Sequence, residues 1–177
     1  MDCIGEDVTS ELEYIPARFV LKQYVRPKYA CKTCQDGVLQ EALPKRPIKK
    51  GLPGVGLLTQ VLVAKYVEHQ PLYRQEKIYK RQGVELSRST LSGWVQAMAK
   101  LLLPIWGALK REVLASSVIQ ADETPLTVLN KQGAKKGYLW TYGIPWEEVV
   151  FDFSEGRGGA FAEKFLGDYE GSIQLGL

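Results

Sequence analysis

Two stretches of the chain combine residue types and spacings that suit chemistry. Asp122-Glu123 closes the apolar run Ser117-Val118-Ile119-Gln120-Ala121 and is followed by Thr124-Pro125, so one strand delivers an acid to its end. Alternation along a strand puts Val118, Gln120 and Asp122 on one face and Ile119, Ala121 and Glu123 on the other. The two carboxylates therefore diverge and do not form a general acid/base pair. A metal-binding or catalytic acid competes here with the plainer reading of solvated acids at a strand end. The second stretch is Cys31-Lys32-Thr33-Cys34, whose spacing suits a metal knuckle or a redox motif. A closed structural zinc site takes four ligands and this pair supplies two. Cys3 and the lone His69 stand at no knuckle spacing, and His69 also reads as a surface histidine near a helix end. The redox reading is the weaker one, because no βαβ pattern surrounds the pair.

The elements that must position these groups fall into a recognisable order. Before the cysteines, Leu12, Tyr14, Phe19, Leu21, Tyr24 and Val25 are spaced like short strands, with Pro16 at a turn or edge. Pro44-Lys45-Arg46-Pro47-Ile48-Lys49-Lys50-Gly51-Leu52-Pro53-Gly54 is a linker, its cations suited either to a phosphate backbone or to plain solvation. From Leu57 the pattern turns helical, with Leu58, Val61, Leu62, Lys65 and Tyr66 at spacings of three and four. That first helix is expected to end at Pro71, and a second runs from about Tyr73 to Arg81, closed by Gly83. Ser87 is then a natural N-cap for a helix with the apolar stripe Leu91, Trp94 and Val95. Arg88, Ser89 and Ser92 stand near its start, where a recognition helix would meet a groove; a plain bundle with Trp94 in its core is the alternative. A separate helix is expected over Leu101 to Leu114, with Pro104 in its first turn or at a kink. After the Asp122 strand come a polar hairpin loop at Lys131 to Lys136, then Tyr138, Trp140 and Tyr142 on one strand face, then a strand at Val149 to Phe153. Gly156-Arg157-Gly158-Gly159 lacks the P-loop lysine and dinucleotide spacing and reads as a turn into a helix from Ala160 to Leu166. Gly171 to Leu175 begins a fourth strand, giving a β-β-β-α-β order.

Charge separates the same regions more sharply than the net value of +3 suggests. Residues 1–17 carry only acids, residues 18–50 nine bases against two acids, and residues 65–111 nine against three. Residues 112–177 then hold five bases and ten acids. Two basic modules precede an acidic one, which favours a polyanionic partner for the first two, although solvated lysines explain many such runs. No apolar run approaches the roughly 20 residues of a membrane span. The acidic N-terminus lacks the basic start of a signal peptide, and three cysteines are too few for a disulfide framework, so a cytoplasmic protein is expected.

Ile4-Gly5-Glu6-Asp7-Val8, Leu12-Glu13-Tyr14-Ile15-Pro16-Ala17-Arg18-Phe19 and Arg26-Pro27-Lys28-Tyr29-Ala30-Cys31 are similar to the zinc-binding region of transposases of the insertion sequence 66 family. The stretch from Leu57 to Tyr66, Pro71-Leu72-Tyr73-Arg74-Gln75-Glu76, Ser87-Arg88-Ser89-Thr90-Leu91 and Ala121-Asp122-Glu123-Thr124-Pro125 are similar to its central region. The resemblance covers essentially the whole chain.

The resemblance implies an α+β chain in several parts. These are a β-rich, zinc-ribbon-like DNA-binding module over residues 1–43, the basic Pro/Gly linker over 44–56, a helical helix-turn-helix region over 57–115, and the first part of a ribonuclease H-like catalytic domain over 116–177. In such an enzyme a first-strand aspartate, a second aspartate after strand four and a later glutamate hold two Mg²⁺ ions, and Asp122 matches the first of them. The second aspartate follows a Gly-x-x-Gln run after one further residue. Here Gly171-Ser172-Ile173-Gln174-Leu175 is followed by Gly176, and the sequence ends at Leu177. The implied function is a transposase fragment that binds double-stranded DNA at element ends and is unable to cleave alone. A non-catalytic protein that occupies element ends and represses transposition is the alternative class. A zinc-ribbon adaptor for proteins is a third, disfavoured by the helical region. DNA contacts are expected from Arg88, Ser89 and Ser92 and from the linker cations Lys45, Arg46, Lys49 and Lys50. Cys31 and Cys34 would form a zinc half site, and Asp122 would be the magnesium ligand. Further expected partners are the chain itself or the full-length transposase, in a nucleoid-associated bacterial setting.

Overall fold

The computed structural model describes residues 10–14, 16–30, 37–48, 51–130 and 133–176. Contacts divide the chain into two compact units, Met1–Ala97 and Met98–Leu177.

In the first unit, strands β1 (Lys28–Ala30) and β2 (Val38–Gln40) pair antiparallel, Tyr29 opposite Leu39. The base of this hairpin is tied by Arg26 Nη1 donating to Glu41 O at 2.7 Å and Gln40 Nε2 donating to Arg26 O at 3.1 Å. The strands expected around Leu12 to Val25 do not form among the described residues there. Their apolar side chains lie exposed, Leu12 fully so at 101%, and without a facing sheet an alternating pattern has nothing to bury. Phe19 is the exception, meeting Tyr79 edge to face with ring centroids 5.3 Å apart.

Helix α1 (Val55–Tyr66) buries Leu58, Val61 and Ala64, and α2 (Leu72–Arg81) buries Gln75 and Tyr79. Pro71 does not end α1, which stops at Tyr66; it is instead the N-cap of α2. The chain turns between them at His69, in the left-handed region at φ 53, and Gln70 N–H donates to Ala64 O at 2.7 Å. A polar pin joins the two helices. Gln75 is 1% exposed and donates to Val61 O at 3.3 Å and Gln70 O at 3.1 Å, while its carbonyl oxygen accepts from Tyr79 OH at 3.3 Å. Gly83, at φ 81, terminates α2 as expected.

Helix α3 (Arg88–Ala115) replaces the two helices expected on either side of residue 100 and carries Pro104 inside it. Gln96-Ala97-Met98-Ala99-Lys100-Leu101-Leu102-Leu103 consists of strong helix formers, which carry the helix through the lost proline N–H. Leu91 and Trp94 are buried in the first unit, so Trp94 is a core residue.

The second unit is built on a four-stranded sheet of order β5-β4-β3-β6. Strands β3 (Val118–Asn130), β4 (Gly133–Gly143) and β5 (Val149–Ser154) form an antiparallel meander, and β6 (Ser172–Leu175) joins β3 in parallel after helix α4 (Gly159–Leu166). The expected β-β-β-α-β order thus forms. One face carries Ile119, Ala121, Trp140, Tyr142 and Val150, buried with Val113 of α3 and Phe165 of α4. Tyr142 stacks on Phe165 with centroids 3.9 Å apart, and Trp106 Nε1 donates to Phe151 O at 2.9 Å.

Strand β3 runs on through Pro125, which pairs with Tyr138, to Asn130 opposite Gly133. The ribbon is longer than expected, since part of the presumed loop at Lys131 to Lys136 is already strand β4. Proline is tolerated because β6 accompanies β3 only over Val118 to Ala121.

Candidate functional site

Asp122 stands half-buried near the centre of the sheet, on the face opposite the core. Its register partner in β4 is Thr141, and its Oδ1 accepts the Glu123 N–H at 2.9 Å. The parallel ladder to β6 pairs Val118 with Ser172, Gln120 with Gln174 and Ala121 with Leu175. Ser172 N–H donates to Ser117 O at 2.9 Å and Gly176 N–H to Ala121 O at 3.2 Å. Continued one residue past the end of β6, the same register brings Gly176 alongside Asp122. Gln120 Nε2 donates to Gln174 Oε1 at 3.3 Å, so side chains at paired positions share a face. The residue that β6 brings alongside Asp122 is thus a glycine, which offers no carboxylate. Gly176 also lies at φ 81, a conformation that strains most side chains.

The other acids nearby turn elsewhere. Glu123 lies on the core-facing side beside Trp140 and pairs with Arg157 Nη2 at 3.2 Å. Asp152 is opposite Trp140 in the ladder and so shares that same side, away from Asp122, while Asp168 is exposed after α4. Asp152 and burial act together on Tyr142. Desolvation first, and the Asp152 charge second, push its phenol up to about 12. Trp140 Nε1 donates to Ser154 Oγ at 2.9 Å, and Ser154 Oγ donates to Gly156 O at 2.6 Å. The Ser154 hydroxyl thereby holds the start of the Gly156-Arg157-Gly158 segment that leads into α4.

In the first unit Ser87 is the N-cap expected of it, its Oγ accepting the Thr90 N–H at 3.2 Å and lying 2.9 Å from Ser89 Oγ. Arg88 is not left free at the helix start. Its N–H donates to Glu76 Oε1 at 3.1 Å and its guanidinium Nε is 3.6 Å from Glu76 Oε2, with the side chain still 68% exposed. Ser92 is half-buried on the next turn. In the linker, Lys45 is exposed, whereas Arg46 lies 5.5 Å from the Tyr24 ring centroid and donates to Gly51 O at 3.2 Å. Lys49, Lys50, Cys31, Cys34 and Cys3 lie outside the described residues. Glu76 and Gln75 were not legible as partners in the sequence. Their contacts at Arg88 and Val61 lie twelve and fourteen residues away, beyond any local spacing rule.

Comparison with known proteins gives the family. The model described as "Transposase IS66 family" matches residues 50–175, and the "zinc-finger binding domain of transposase IS66" matches residues 1–35. The chain belongs to the IS66 transposase family. Two uncharacterized proteins of Sinorhizobium fredii (strain NBRC 101917 / NGR234), y4jD and y4qI, are 32% and 35% identical over 182 residues, or 97% of this chain. The chain covers 36% and 34% of their lengths, so it spans about a third of the curated relatives it matches. No solved structure matches.

Family membership implies divalent metal use, and the zinc-finger match suggests zinc binding. Among the described residues no three His, Cys, Asp or Glu side chains gather in a way that would hold an ion. Among the described residues, neither Gly176 beside Asp122 nor Glu123 and Asp152 on the opposite face adds a second carboxylate to it. No helix among the described residues is long and apolar enough to cross a membrane.

Proposed function

We propose that the chain is a transposase-type protein that binds double-stranded DNA at the ends of an insertion element and does not itself cut it. The DNA-binding part rests on family membership and on the basic balance of residues 18–111, eighteen bases against five acids. Arg88, Ser89 and Ser92 meet the DNA groove, and Lys45, Arg46, Lys49 and Lys50 contribute phosphate contacts. Asp122 is the first acid of a DDE-type site on a ribonuclease H-like sheet. In that chemistry two divalent ions clamp the attacking and leaving oxygens of an in-line phosphoryl displacement, which needs more than one carboxylate. The observation that carries the non-cleaving reading is the ladder register that sets Gly176 next to Asp122. The same observation favours a second role, occupancy of element ends in competition with a cleavage-competent transposase.

The test is a strand-cleavage assay on element-end duplex with Mg²⁺ or Mn²⁺, comparing the chain with Asp122→Ala and Gly176→Asp. No nicking above background is expected from the unaltered chain. Metal-dependent nicking that disappears in Asp122→Ala would overturn the non-cleaving reading. In a binding assay at matched salt, Arg88→Ala should weaken duplex binding by about 1 to 3 kcal/mol. An unchanged isotherm would remove the start of α3 from the interface.

A further inference from the structure

Helix α2 has two contrasting sides. Gln75 and Tyr79 face the interior and pin the helix to α1. At 100° per residue, Arg74, Lys77 and Arg81 fall within an arc of about 60° on the opposite side, at positions i, i+3 and i+7. All three are exposed. Among the described residues none of them is in an ion pair with a carboxylate, whereas Lys80 is paired with Glu85 at 3.2 Å and Arg88 with Glu76 at 3.6 Å. The one acid of α2, Glu76, is spent on the start of α3 and lies off the cationic row. Arg74 is braced by its neighbour, its Nε donating to Tyr73 OH at 3.2 Å, and Tyr73 stays 41% exposed beside the row.

We propose that the Arg74–Lys77–Arg81 face of α2 is a phosphate-contacting surface that lies along the backbone of duplex DNA. The inference rests on the DNA-binding reading above and adds to it a site. The row spans about 10 Å of helix axis, a length over which duplex DNA carries about six phosphate charges. Three cations on one rigid face can meet those phosphates without distorting the helix, and they carry no base preference. The opposite side is held by the buried Gln75 pin, so the row keeps its direction when a polyanion binds. Arg88, already tied to Glu76, has less charge to give to a phosphate than these three do.

The experiment measures binding of the full chain to a fluorescent duplex across a salt series. One variant is Arg74→Gln/Lys77→Gln/Arg81→Gln. The control is Lys135→Gln/Lys136→Gln/Lys164→Gln, three exposed cations of the second unit that lie outside residues 18–111, which removes the same charge. The α2 variant should lower the slope of log affinity against log salt by about 3 and weaken binding on the order of a hundredfold near 0.1 M salt. The control should stay close to the unaltered chain. An Arg74→Lys/Arg81→Lys variant keeps the charge and should keep the slope, and matching circular dichroism melts establish that all variants fold. Equal losses in the α2 variant and the control, or no loss in either, overturn this inference while leaving the DNA-binding reading in place. An unaltered chain that binds no duplex overturns both. Stronger α2-dependent binding to an RNA duplex of the same sequence overturns the choice of DNA as partner.

Discussion

Tyr142 sits 1% exposed against Phe165, and among the described residues its hydroxyl is buried with no hydrogen-bond partner. An unsatisfied buried hydroxyl costs about 1 to 3 kcal/mol, so Tyr142→Phe, which keeps the stacked ring, should stabilise the second unit by roughly 1 kcal/mol. A thermal melt checks it, and a lower melting temperature would mean that the hydroxyl has a partner. The same residue gives an alkaline signature. Its folded-state pKa of about 12 exceeds the ordinary 10.0, so the stability tied to the neutral phenol is complete below pH 10 and is lost as the pH rises toward 12. The Phe variant should lose that alkaline step. Asp122 presents the contrasting case of an acid whose chemistry depends on what stands beside it, and the residue that follows β6 there is a glycine.

Among the elements, the start of α3 shows what one cap contributes. Ser87→Ala removes the bond to the Thr90 N–H and should cost about 1 kcal/mol, read as a lower midpoint in a denaturant titration. No change would mean that Glu76, which holds the Arg88 N–H, caps the helix by itself. Elements marked by local periodicity were legible in the sequence. The strands around Asp122, Trp140 and Phe151 and the helix after Gly158 fall where alternation, the Gly-rich turn and the apolar spacing put them. The stretch from Leu12 to Val25 was misread because alternation describes a strand only when another strand is there to pair with it. Pro104, expected in the first turn of a separate helix or at a kink, lies well inside α3, since helix formers on both sides outweigh one missing N–H. In the candidate site, the acid and the glycine after Leu175 were both visible in the chain, but their adjacency is a fact of strand register. Register is set by tertiary pairing and lies outside any local window. It also depends on Gly171, where a Cβ would meet Ser117 O at 2.8 Å and push β6 off its partner.

Over the whole molecule, charge divides with structure. The unit Met1–Ala97 holds fifteen bases against ten acids, and Met98–Leu177 eight against ten. A polyanion should therefore be held by the first unit, with an affinity that falls steeply with salt. The zinc-finger match falls in the same unit. Cys31 and Cys34 supply two of the four ligands of a closed site, so elemental analysis after dialysis against a mild chelator should find well under one zinc per chain. One tightly retained zinc would show that further ligands, Cys3 among them, complete the site. The long β3–β4 ribbon bears on how copies of the molecule behave toward one another. Beyond Ala121 among the described residues, β3 has no neighbour on the β6 side, leaving a strand edge able to pair with a strand of another copy. Ser117 and Ala121 both aim their carbonyls toward β6, and Pro125, four residues further on, aims the same way. It has no N–H to donate at that position, so an incoming strand loses a rung of its ladder there. Pro125 thus acts as a guard against aggregation. Pro125→Val should leave the fold intact yet increase concentration-dependent light scattering, and equal scattering from both proteins would show that the edge is protected by something else.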